Sequence, residues 1–248
     1  MALNITERGK TQPTWADVIE TVMKSHGYFA TLKQLHNEAP KLKEHSGKTP
    51  SMTINYVVQV DSRFTKIMPG LWALSEYLDK LPYHLNPKIQ KSEQEKTAIS
   101  HALMQGYLIE IGNMKRYSTF SPDKNGLFLD KRLGDIISVQ TCPDFTYDRV
   151  VQRAKYIDVI WFNEREYPAN VIEVEHSTDF RNSFLKFLEL QDFTTKMTIV
   201  ASHERYKQFE REIKRATFVT ISNRVNFVSY DDVEKNYVAS VTLAASNL

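Results

Sequence analysis

Near the front of the chain, apolar residues recur at helical spacing. Trp15, Val18, Ile19, Val22 and Met23 fall at i, i+3, i+4, i+7 and i+8, which predicts a helix opened by Thr14 and closed by Gly27. A second helix is expected from Thr31 in TLKQLHNEAP. A third follows Pro50 in SMTINYVVQVDSRF, with Ile54, Val57 and Val58 facing inward. That spacing turns Ser51, Asn55, Tyr56, Gln59 and Arg63 outward. FTKIMPGLWALSE then reads as two short β runs around a turn at Pro69 and Gly70. In KLPYHLNPKIQKSE two prolines and a polar run break both periodicities and mark a seam.

Beyond the seam the pattern predicts a long helix, SEQEKTAISHALMQGYLIEIG, and a strand in KRYSTF. Residues 121–150 hold turn signals and the short apolar run DIISV, the pattern of an inserted subdomain. Strands YIDVIWF and NVIEVE follow, then helix DFRNSFLKFLELQDF, strand KMTIVAS, helix HERYKQFEREIKRA and strand VNFVSY. Strands alternating with helices predict an α/β core. The expected organisation is a domain over residues 1–78, a linker over 79–91 and a second domain over 92–248, together an α+β and α/β architecture.

Composition narrows the classes. The 248 residues are 42% hydrophobic and 25% charged, as expected of a soluble chain. No run approaches the ~18 continuous apolar residues of a membrane span, so a cytoplasmic protein without a membrane partner is expected. The single cysteine, Cys142, excludes an internal disulfide and a cysteine-rich zinc site. Seven histidines without HxxxH spacing argue against structural zinc, so a metal here is expected to be held by oxygen. Residues 1–91 carry 12 Lys and Arg against 8 Asp and Glu, and the remainder 20 against 22. A mildly basic front half suits a phosphate-bearing partner, although solvated surface gives the same imbalance.

Acids stand inside runs that otherwise read as buried strand. Glu173 and Glu175 project to one side of NVIEVE, and the polar turn FNEREYP lets the neighbouring strand carry Asp158 beside them. Three carboxylates in one patch repel unless a cation or a proton compensates, and Mg²⁺ is the natural cation. The alternative is a half-exposed hairpin whose polar edge includes the two glutamates.

Residues 12–76, through TWADVIETVMKSHG, LKQLHNEA and FTKIMPGLWALSE, resemble the HARE-type winged helix-turn-helix. That resemblance implies a DNA-binding domain whose third helix enters the major groove, with Ser51, Asn55, Tyr56, Gln59 and Arg63 contacting double-stranded DNA. Protein docking is the other use of such a domain. The order helix, strand, strand with Asp, strand with Glu-x-Glu, helix resembles the PD-(D/E)xK restriction-endonuclease superfamily, a mixed sheet flanked by helices. The resemblance implies Mg²⁺ held by Asp158, Glu173 and the carbonyl of Val174, with Glu175 in the third catalytic position. A homodimer is expected for double-strand cleavage. Most members carry lysine where this chain has Glu175, which leaves three readings open: a glutamate base, a cation brought in by Arg181 or Lys186 of the next helix, or an inactive nuclease-like domain in a DNA-binding regulator. Glu95, His176 and Gln191 complete the supporting candidates. The expected activity is that of a type II-like restriction endonuclease of host defence.

Overall fold

The computed structural model describes residues 12–43, 49–176 and 179–246, which divide into two compact units. Residues 1–89 and 241–248 form the first, and residues 90–240 the second. The last eight residues, expected in the second domain, therefore group with the first unit.

In the first unit, α1 (Trp15–Ser25) begins with a capping box in which the Thr14 hydroxyl and the Asp17 carboxylate each accept the other's backbone N–H. Gly27, at φ +80°, takes the left-handed conformation that ends the helix. Strand β1 (Phe29–Thr31) leads into α2 (Leu32–Glu38), capped by Thr31. Helix α3 (Pro50–Val60) is followed by β2 (Phe64–Met68) and β3 (Leu71–Leu74). The strands form an antiparallel sheet in the order β1-β3-β2, so the expected hairpin gains a third strand.

The expected outward set on α3 is only partly outward. Ser51 is buried, with its hydroxyl 3.3 Å from that of Ser246. Asn55 donates to the Thr242 hydroxyl at 2.9 Å and lies 2.8 Å from Nε2 of His36. The half-exposed Arg63 is committed to Asp61, Asp17 and Glu20. Tyr56 and Gln59 remain exposed, beside Met52 and Val60. The cause is α9 (Tyr230–Ser246), whose last turns group with this unit and supply Thr242 and Ser246.

The second unit opens with α4 (Glu93–Met114), capped by Ser92. Strand β4 (Ser118–Phe120) precedes a hairpin, β5 (Leu127–Phe128) and β6 (Lys131–Arg132), and two short helices, α5 (Leu133–Ile136) and α6 (Asp148–Ala154). Then come β7 (Val159–Phe162), β8 (Pro168–Glu175), α7 (Phe180–Leu188), β9 (Lys196–Ala201), α8 (Tyr206–Ile213) and β10 (Val225–Ser229). The five-stranded sheet runs β10-β9-β8-β7-β4, with β8, β9 and β10 parallel and β7 antiparallel to both its neighbours. Phe180, Phe184 and Phe187 of α7 and Phe209 of α8 pack with Ile160, Val171 and Ile199 from the sheet. Trp161, on the opposite pleat, donates its indole N–H to the carbonyl of Leu108 in α4 at 3.1 Å.

From Met104 to Gly112 every residue of α4 is buried, so this helix lies inside the unit. Gly106 makes the fit possible: a Cβ there would stand 2.0 Å from the Phe128 ring. Gly106→Ala is expected to cost about 1–3 kcal/mol through overpacking, read as a lower denaturation midpoint at unchanged m-value.

Candidate active site

Register places the acids. Val159 pairs with Ile172 and Ile160 with Val171, so Asp158 immediately precedes, and Glu173 immediately follows, the first paired residues of the two strands. Strand β8 is the middle strand of five, and Glu173 and Glu175 are 3% and 5% exposed. A solvated polar edge is therefore not their setting. Strand β7 begins at Val159 and not at Tyr156, which leaves Asp158 on the bend at its entrance.

Each acid has its own partners. Lys186, one helix further on, places its ammonium 2.8 and 2.9 Å from the two Glu173 oxygens and 2.9 Å from the carbonyl of Tyr156. Ser183, one turn earlier on α7, sets its buried hydroxyl between Glu173, at 3.1 Å, and Glu175. Burial, then the charge of Asp158, push Glu173 up to about 8, while Lys186 and Ser183 pull it back. The Tyr230 hydroxyl donates to the Glu175 carbonyl at 2.7 Å.

Asp158 turns toward α4 instead. Its Oδ1 accepts from the Gln105 amide at 3.2 Å and its Oδ2 from the Val174 backbone N–H at 2.8 Å. Nε2 of His101 lies 3.4 Å from the same Oδ2. Burial disfavours the charged His101 ring, but Asp158 and the Val174 backbone outweigh it and raise the imidazole above its usual range. His176 stands 5.7 Å from His101, ring to ring. Burial, reinforced by repulsion from His101 and Arg205, lowers His176 to about 4. An open cleft of about 620 Å³ runs along α4, lined by Gln94, Thr97, His101, Val174 and His176 among others.

The expected single patch of three carboxylates is thereby corrected. Among the described residues, no three His, Cys, Asp or Glu side chains are gathered so as to hold a metal ion. Glu175 shares Ser183 with Glu173, whereas Asp158 is drawn to α4. The donor chemistry still fits a hard cation, because Mg²⁺ needs only one or two carboxylates and leaves the rest of its shell to water and phosphate. Gln105 is 1% exposed, and its Oε1 has no hydrogen-bond partner while its amide nitrogen touches Asp158. An unsatisfied acceptor oxygen beside a carboxylate suits a cation or its water.

The other candidates are not brought to the acids. Arg181 is engaged by Glu212 and Asp179, both at 3.0 Å. Glu95 closes the capping box of α4 by accepting from the Ser92 N–H at 2.9 Å. Gln191 is exposed beyond the end of α7, which stops at Leu188, so it lies off the helix face expected to carry it.

Against this geometry, a model of the type II restriction enzyme NmeDI C-terminal domain matches residues 57–245, about three quarters of the chain. The chain belongs to that family. The match includes Asp158, Glu173, Glu175, Ser183 and Lys186, and leaves α1 and α2 outside. The type II restriction enzyme NmeDI of Neisseria meningitidis serogroup C is 29% identical over 107 residues, 41% of this chain and 30% of that protein. The chain thus spans less than a third of that relative's length. No solved structure matches.

Three residues of this site escaped sequence reading: His101, Gln105 and Ser183. His101 and Gln105 are four apart on α4, a spacing that puts both on one helix face, and two polar groups on a face that becomes buried were the available signal. Ser183 carried no such mark. Its role depends on α7 folding back over β8.

Proposed function

We propose that the chain is the DNA-cutting portion of a Mg²⁺-dependent, type II-like restriction endonuclease that hydrolyses phosphodiester bonds. The observation that carries this reading is Asp158 at the entrance of β7 beside Glu173 of β8, with Lys186 reaching Glu173 from the following helix, in a member of the NmeDI C-terminal domain family. The second unit is read as a PD-(D/E)xK nuclease fold and the first as a HARE-type winged helix, for which three helices and an antiparallel hairpin are the support. In that reading the exposed Tyr56 and Gln59 of α3 face the major groove of double-stranded DNA. Two copies acting together would cut both strands.

Asp158, Glu173 and the Val174 carbonyl would hold the ion, which when bound polarises the scissile phosphate and acidifies a coordinated water. Lys186 supplies the cation that Glu175 does not. Its ammonium is anchored by the Tyr156 carbonyl and both Glu173 oxygens, and in this reading would turn one of its N–H groups to a phosphate oxygen as negative charge develops there. Glu175, which accepts from Ser183, would in this reading take the proton of the attacking water. In-line attack would leave a 5′-phosphate.

One observation favours a second reading. Glu173 and Glu175 already have partners in Lys186 and Ser183, as a nuclease-like domain retained only for structure in a DNA-binding regulator would require. Incubating the chain with methylated and unmethylated DNA, with and without Mg²⁺, and mapping the ends separates the two. Metal-dependent cuts with 5′-phosphate ends are expected; DNA retention without cleavage under every condition would favour the regulator.

A further inference from the structure

The sequence gives no paired histidine spacing, yet the fold brings an imidazole to the acid proposed to bind metal. Nε2 of His101 lies 3.4 Å from Asp158 Oδ2, long for an N–H···O hydrogen bond, and the ring also meets the Val174 backbone. Two donors each about 2.1 Å from one octahedral ion, in adjacent positions, stand about 3 Å apart, so this separation is close to that of two ligands of a shared cation. The opposite oxygen of Asp158 is held by Gln105. Gln105 lies one helical turn from His101 on the same face, is 1% exposed, and carries the unpartnered Oε1. Helix α4 thus offers a nitrogen and an oxygen donor flanking one carboxylate, at the wall of an open cleft that includes His101 and Val174. Glu173 is paired with Lys186.

We infer that His101 is a further direct ligand of the divalent ion, so that the shell proposed from Asp158, Glu173 and the Val174 carbonyl becomes a mixed nitrogen and oxygen one through His101 Nε2, with Gln105 Oε1 as an additional oxygen donor beside Asp158. This rests on the reading of Asp158 as an ion-holding residue. The consequence is selectivity. Mg²⁺ favours oxygen throughout, whereas first-row transition ions accept imidazole, so Mn²⁺ or Co²⁺ should bind more tightly here than Mg²⁺. An all-oxygen site gives a smaller margin.

The test is Mn²⁺ titrated into the full chain, with free Mn²⁺ counted by electron paramagnetic resonance and the bound ion examined by electron spin echo for ¹⁴N coupling. Expected are one tight Mn²⁺, displaced by Mg²⁺ only at about tenfold excess or more, and a nitrogen coupling that is lost in His101→Gln and kept in His176→Gln. Chain labelled with ¹⁵N-histidine must replace the ¹⁴N signal by a ¹⁵N one, which tests the ligand without any substitution. Bound Mn²⁺ that depends on Asp158 but shows no histidine coupling would overturn this inference and leave the proposed nuclease site standing. Coupling that survives in His101→Gln and vanishes in His176→Gln would overturn the assignment to His101. Failure to bind Mn²⁺ in any Asp158-dependent way would overturn the ion site itself, and this inference with it.

Discussion

Asp158→Asn is expected to lower Mg²⁺-dependent DNA cleavage by about 10³-fold or more while leaving the fold intact. The substitution removes the charge without changing the shape. The new side chain keeps a carbonyl oxygen for the Val174 N–H, now at 2.8 Å from Oδ2. Its new amide can donate to Gln105, whose Oε1 is without a partner and whose amide can rotate to receive it. The Val174 and Gln105 hydrogen bonds are conserved and only the long, half-exposed pairing with His101 is lost, so melting should shift by little. What is lost is half of the anionic charge proposed to hold the ion. An ion that polarises a phosphate is worth several kcal/mol of barrier, and about 4 kcal/mol corresponds to about 10³ in rate. Initial rates on plasmid DNA, with thermal melts of both proteins, check this. A variant that cuts at the wild-type rate would remove Asp158 from the chemistry.

Glu173 and Glu175 were legible because strand periodicity is local: alternate residues of NVIEVE must share a face wherever the strand lies. The hairpin pairing of the two strands was legible for a related reason, in the polar turn between them, but Asp158 falls just before β7 and turns to α4. What periodicity cannot convey is which element folds onto that face. Lys186 was one of two cations in the right helix, and only the docking of α7 separates it from Arg181, which is turned toward Glu212. His101 sits 57 positions before Asp158 in sequence, and no spacing rule spans such a distance.

The reading of α3 failed from the same non-local cause. Its polar side was taken as solvated, but the last turns of α9 supply Thr242 and Ser246 as partners for Asn55 and Ser51. A signal was there to be read: Val233, Tyr237 and Val241 recur at i, i+4 and i+8 and are all buried. A closing helix with that stripe needs something to cover. Gln191 was misplaced by a boundary error, the helix ending five residues sooner than the run DFRNSFLKFLELQDF.

Lys186→Met should reduce cleavage by about 10²-fold or more, the loss typical of one positioned donor, and should also make stability depend more steeply on pH. In Mg²⁺-free buffer the wild type itself has a defined trend. Glu173 is held above its unfolded value of about 4.5, toward 8, so folding favours its protonated form. That contribution is complete below about pH 4.5 and is lost as pH rises through about 8. Removing Lys186 takes away the group that opposes the upward shift, so the variant's Glu173 moves higher still. At pH 6 both proteins carry a protonated Glu173 and should differ by less than about 1 kcal/mol. At pH 9 the wild type ionises Glu173 against an ammonium at 2.8 Å, while the variant must bury an unpaired carboxylate or keep it protonated at a cost. A gap of about 1–3 kcal/mol is expected there, below the value for a fully buried pair because the Lys186 side chain is 31% exposed. Urea unfolding of both proteins at pH 6 and pH 9 measures it. Equal gaps at the two values would mean that Lys186 contributes packing alone, and the cation assigned to catalysis would have to be sought elsewhere.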